Sequence, residues 1–317
     1  MLRFAAVDLG SLTVRLAVAE LTGPGSFQVL AHYREVTGLG EGLARSDTLA
    51  PEAMARTLEA LKGFVQVLRA EGVEVFQAVA TQAVRQARNR DFFIQQVREL
   101  GLPVRILSPE EEGRLSLQGV LSALAPEYAA APELMVFDVG GGSAEWALIR
   151  QGKEPRFASL PLGVLTLSQA RPLGDPPQPD AVAALKQKIK ERLGEFYRQN
   201  LQPHLSATPR LVGTAGAVTT LAALALEMTR YDPERVNNYI LTREKVAELT
   251  SRLTALTQAA RALLPGMEPA KAGVMVAGAL IVLTILEICQ QNFLVAIDTG
   301  LLEGVLGEMA EEIGGVG

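Results

Sequence analysis

The stretch MVFDVGGGSAEWALIR, residues 135–150, decides the fold. An apolar run stops at Asp138, crosses Gly140, Gly141, Gly142 and Ser143, and resumes as an apolar strand pattern from Ala144. Two strands joined by a glycine turn predict a β-hairpin. A turn needs one glycine at most, whereas three leave backbone N–H groups open to a ligand. A cation bridging Asp138 to a phosphate would give the neighbouring carboxylate its purpose.

The pattern has an echo. Residues 5–20, AAVDLGSLTVRLAVAE, again run apolar–Asp–apolar–Gly, then a serine and a returning strand, with Asp8, Gly10 and Ser11 in the equivalent places. The two aspartates are one domain length apart, which suggests an internal repeat. Two such hairpins facing each other across a central cleft would bring two carboxylates and two glycine turns to one ligand.

At 317 residues the chain is expected to form two domains. The apolar share of 48% and charged share of 21% fit an ordinary globular protein. A net charge of −5 argues against DNA, RNA or an anionic membrane as partner. Cys289 is the one cysteine, so disulfides and cysteine-cluster metal sites are excluded and a cytoplasmic location is expected. His32 and His204 are too few for a histidine-rich metal site, and neither lies in a triad motif. The N-terminus lacks a signal-peptide core. The longest apolar run, residues 272–286, is short of the ~20 residues that span a bilayer and reads as a buried helix.

Strands are expected at 4–8, 13–20, 27–36, 75–80 and 104–107, with helices at 52–70, 91–100 and 109–124. Ser108 caps the last of these, with Pro109 at its first position and Glu110, Glu111 and Glu112 in its first turn. APEYAAAPE, residues 125–133, reads as a linker, and RPLGDPPQPD, residues 171–180, as a loop. The rest reads as mostly helical, with a strand near 294–297. The fold class is mixed α/β.

At this point the residues resemble a known family. The paired Asp-Gly hairpins are similar to the phosphate-binding turns of the actin, sugar-kinase and chaperone-ATPase superfamily. Within it the chain resembles the exopolyphosphatase and guanosine pentaphosphate phosphatase (Ppx/GppA) family in its short form. ATQAVRQARNRDFF (80–93), SPEEEGRLSLQGV (108–120), LPLGVLTL (160–167), VGTAGAVTTLAAL (212–224) and GLLEGVL (300–306) carry the resemblance in family order. It implies two actin-like lobes, residues 1–125 and 126–300, with a C-terminal helix at 301–313 completing the first.

The resemblance implies hydrolysis of terminal phosphoanhydrides on polyphosphate or on guanosine penta- or tetraphosphate, with Mg²⁺ or Mn²⁺ as cofactor. Glu112 matches the family's general base and Arg85 its phosphate-binding arginine. Asp138 and Glu145 match catalytic acidic residues that hold the metal, with Asp8 as their counterpart. Phosphate contacts are expected from Asp8, Gly10, Ser11, Gly140, Gly141, Gly142, Ser143, Gly213, Thr214, Gly216 and Lys271. Family glycine and threonine are replaced by Ala215 and Ala217, and family arginines by Lys271 and Leu302. Leu12-Thr13 stands for Asn-Ser. Dimers are common among relatives. An alarmone sensor with little turnover is the alternative reading.

Overall fold

The computed structural model describes residues 2–170 and 172–315. The strands are β1 (Arg3–Leu9), β2 (Thr13–Gly23), β3 (Ser26–Val36), β4 (Val75–Ala80), β5 (Val104–Ile106), β6 (Glu133–Val139), β7 (Ala144–Arg150), β8 (Arg156–Leu160), β9 (Arg210–Thr214), β10 (Tyr239–Thr242) and β11 (Phe293–Ala296). Backbone contacts divide the chain into two units. One holds the chain up to Gly119 and from Gly300 onward, and the other is Val120–Thr299.

The first unit is built on a sheet of order β3-β2-β1-β4-β5. β1, β2 and β3 form an antiparallel meander, while β4 and β5 add in parallel to the other side of β1. Side-chain alternation sends Ala5, Val7 and Leu9 of β1 to one core, shared with Leu61 and Phe64 of helix Pro51–Ala70 and Phe93 of helix Arg90–Glu99. Phe4 and Ala6 face the opposite core, where Leu115, Leu302, Val305 and Met309 lie. By the same parity Asp8 and Arg15 belong to this second face. Helix Leu301–Gly314 covers it so closely that a Cβ on Gly304 would stand 1.9 Å from the Leu115 carbonyl oxygen. Only glycine permits that approach.

The second unit repeats the plan. Its sheet runs β10-β11-β9-β6-β7-β8. β6, β7 and β8 are the antiparallel meander, β9 and β11 are parallel additions, and β10 is an extra antiparallel edge. The apolar run becomes the helix Met275–Ile288, packed by helices Val164–Ala170, Pro179–Phe196, Ala215–Ala225 and Arg243–Ala255. Residues 275–286 are all buried, as the sequence implied. Among the described residues no helix is long and apolar enough to cross a membrane.

The stretch read as a linker is partly structured. It forms a short helix, Pro126–Ala129, and its last residue, Glu133, opens β6. Glu133 is buried and accepts hydrogen bonds from the Ser206 amide (2.9 Å), the Ser206 hydroxyl and the Ala207 amide (3.2 Å). β8 and β10 also arise where only helix and loop were expected, because their apolar runs are too short for periodicity to separate them from helix segments.

Burial acts to raise the Glu133 carboxyl, but the Ser206 and Ala207 hydrogen bonds, with Arg150 near by, outweigh it and hold the group below its ordinary value of 4.5. A depressed folded-state value contributes stability that is complete above the unfolded value and fades as pH falls through the folded one. Glu133→Gln should therefore destabilise the protein at pH 7 by about 1–3 kcal/mol. The deficit should narrow in denaturant titrations at about pH 3.5; a deficit independent of pH would contradict this account.

Candidate active site

The two hairpins obey one rule of register. In the first, the Gly10 amide donates to the Thr13 carbonyl at 3.2 Å, and Asp8 stands opposite Arg15. In the second, the Gly140 amide donates to the Ser143 carbonyl at 3.0 Å, and Asp138 stands opposite Glu145. Equivalent positions thus carry a cation in one unit and an anion in the other.

In the first unit Arg15 donates from Nε (3.0 Å) and Nη2 (2.7 Å) to Oδ2 of Asp8, which is 3% exposed. Oδ1 of Asp8 is buried without a hydrogen bond and faces the Gly10 turn. The Ser11 hydroxyl donates to Oε1 of Gln82 at 3.1 Å, so its hydrogen is committed within the protein. Glu110, Glu111 and Glu112 separate because a helix turns about 100° per residue. Glu110 is exposed. Glu111 forms a capping box with Ser108, accepting the Ser108 amide at 2.8 Å while its own amide reaches the Ser108 hydroxyl at 3.2 Å. That backbone bond, first among several contacts, lowers the Glu111 carboxyl.

Glu112 is the buried member of the three, paired at 2.9 Å with Arg85, whose same nitrogen donates to the Leu107 carbonyl at 2.7 Å. The rest of the Arg85 guanidinium makes no hydrogen bond among the described residues, which leaves donors for a phosphate oxygen. Arg88 pairs with Asp47 at the surface, and Asn89 brackets Leu49 through both of its backbone groups.

In the second unit Thr214, Asp138, Glu145 and Ser159 stand in register across β9, β6, β7 and β8, a polar row at one end of the sheet. Glu145 is 4% exposed and accepts the Ser159 hydroxyl at 3.0 Å. In the loop between the aspartate and glutamate two carbonyls are occupied: Val164 donates to Gly140 at 3.0 Å, and Leu165 and Thr166 to Gly141 at 2.8 and 3.3 Å. The amides of Gly141 and Gly142 have no backbone acceptor among the described residues, so the loop presents donors.

The stretch GTAGA, residues 213–217, runs from the end of β9 into the helix Ala215–Ala225, and two of its assignments change. Gly213 lies inside β9, where a Cβ would stand 2.7 Å from Cζ of Phe137, so it is a packing glycine rather than a ligand contact. The Thr214 hydroxyl is spent on the Thr299 carbonyl at 2.8 Å. Gly216 keeps its place in the first turn of the helix. Lys271, which could have been a solvated surface lysine, is 5% exposed, paired with Glu268 at 2.8 Å, and sits 3.5 Å from the position a Gly216 Cβ would take. An ammonium beside the positive end of a helix favours an anion there.

Arg15, Gln82 and Ser159 were missed from sequence, although counting outward from each turn pairs Asp8 with Arg15. Glu303 was also passed over. It is buried and accepts the Gly300 amide at 2.7 Å, with His32 3.5 Å away. Burial raises its carboxyl, and His32, the Gly300 amide and Arg15 act against that shift.

A hard divalent cation fits the donor set. Two carboxylates face each other beside a loop of open amides, and a pair of like charges set directly opposite is relieved by a cation. Among the described residues no three His, Cys, Asp or Glu side chains gather as a metal cluster.

The chain belongs to the Ppx/GppA phosphatase family, whose model matches residues 18–313. It is 33% identical over 292 residues to Exopolyphosphatase 2 of Mycobacterium tuberculosis, covering 88% of both chains. It superposes on the crystal structure of the Aquifex aeolicus family member with a TM-score of 0.78 at 30% identity over 98% of both chains. An exopolyphosphatase structure from Cytophaga hutchinsonii shares the fold, with a TM-score of 0.86 at 24% identity over 98% of both.

Ala215 has φ +66°, a left-handed conformation that favours glycine. The methyl group costs about 1–2 kcal/mol there, partly offset by the smaller entropy of an unfolded alanine. Ala215→Gly should raise stability by about 1 kcal/mol and the apparent Tm by about 2–4 °C in a thermal scan. A lower Tm would show that the site is unstrained.

Proposed function

We propose that the protein removes terminal orthophosphate from inorganic polyphosphate by hydrolysis, with short chains as the main substrate and guanosine pentaphosphate as a secondary one. Family membership and the exopolyphosphatase relative support the reaction class. The observation that carries the chemistry is the facing pair Asp138 and Glu145 beside the amide-presenting loop 140–143.

The residues divide the work as follows. Asp138 and Glu145 would hold Mg²⁺, which would supply charge neutralisation on the anhydride, and Asp8 would be a further contact to metal or phosphate. The amides of Gly141 and Gly142, the Ser143 hydroxyl, Gly216 and Lys271 bind phosphate oxygens, while the Gly10 and Gly140 amides are spent on the Thr13 and Ser143 carbonyls of their own turns. Arg85 uses its remaining donors on the terminal phosphoryl group and holds Glu112 in place. Glu112 takes a proton from the attacking water, and the leaving phosphate departs as an anion that needs no protonation at neutral pH.

Trp146 is 2% exposed and packed between Phe137 and Phe196, with ring centroids 5.4 and 6.0 Å away, so it offers no face for stacking a guanine.

Phosphate release should be measured on tripolyphosphate, long-chain polyphosphate and guanosine pentaphosphate under one set of conditions with Mg²⁺. Tripolyphosphate should be the fastest. Glu112→Gln should lower kcat by about 10²–10⁴-fold with little change in KM. Tight alarmone binding without release from any of the three would replace this reading with a sensor.

A further inference from the structure

Glu145 is a flexible side chain asked to hold a fixed place beside a like charge. Directly opposite residues on antiparallel strands have Cβ atoms about 4.5–5.5 Å apart, and equal charges there repel. Repulsion from Asp138 on β6 would drive the Glu145 carboxylate toward the β8 side. On that side Ser159 stands in register with Glu145 and donates its hydroxyl to Oε1 at 3.0 Å. β8 is an edge strand, and the serine interrupts the apolar pattern Phe157, Ala158, Leu160.

We infer that Ser159 is a positioning residue: it anchors one oxygen of Glu145 so that the carboxylate stays turned for a divalent cation. The inference rests on the proposed role of Glu145 as a metal ligand. Groups that orient a metal ligand from behind typically contribute 10–100-fold to metal affinity or activity.

The test titrates Mn²⁺ into the full-length chain, followed by EPR, and compares the Mg²⁺ activation curve for tripolyphosphate hydrolysis in wild type, Ser159→Ala, Ser159→Thr and Glu145→Gln. Ser159→Ala should weaken Mn²⁺ binding and raise the half-activating Mg²⁺ concentration about tenfold. At saturating Mg²⁺ its KM for tripolyphosphate should stay within about twofold of wild type. Ser159→Thr, which keeps the hydroxyl and suits a strand, should restore both. If Ser159→Ala binds Mn²⁺ as wild type does while Glu145→Gln does not, the positioning role is overturned and the metal assignment stands. If Glu145→Gln also binds normally, the metal assignment of Glu145 fails and Ser159 falls with it. A lowered Tm with unchanged Mn²⁺ binding assigns Ser159 a structural role only and likewise overturns the proposal.

Discussion

The register of the β6–β7 hairpin forces Asp138 and Glu145 to face one another. Two carboxylates held at cross-strand distance are unfavourable unless something positive is shared between them. The equivalent pair in the first unit shows the other solution, since Asp8 faces Arg15 and the charges cancel within the protein. One hairpin plan, used twice, therefore sets a carboxylate against a guanidinium in one unit and two carboxylates against each other in the other. The difference is the sign of a single side chain at one register position.

The loop joining the acidic pair is polarised by what packs on it. Buried carbonyls need donors, and the first turn of helix Val164–Ala170 supplies them to Gly140 and Gly141. With the carbonyls turned to that helix, the amides of the same loop face the other way. One short backbone segment thus satisfies a helix on one side through the Gly140 and Gly141 carbonyls and offers the Gly141 and Gly142 amides on the other.

Local signals carried the hairpins, since strand alternation and glycine turns are written in consecutive residues. The buried helix Met275–Ile288 was equally plain from its unbroken apolar run. What escaped depends on register between distant segments. Ser159 lies fourteen positions from Glu145 and meets it only through the β7–β8 pairing. Gly213 looked like part of a phosphate loop, because no sequence pattern shows that Phe137 lies beneath it. Glu133 looked like the end of a linker, because its partners at Ser206 and Ala207 are more than seventy residues away. Three adjacent glutamates at 110–112 could not be told apart by type, and helix rotation separated them into exposed, capping and buried.

The charge balance of these groups bears on the form of the substrate. Arg15 and Arg85 in the first unit and Lys271 in the second each have a carboxylate partner: Asp8, Glu112 and Glu268. The overall charge is −5. In the proposed role, cations so paired would orient phosphate oxygens through directional hydrogen bonds while bringing little net positive charge to neutralise several phosphates at once. Under the proposed function that deficit falls to the divalent ion, so the species that suits these groups is the metal-complexed chain rather than the free polyanion.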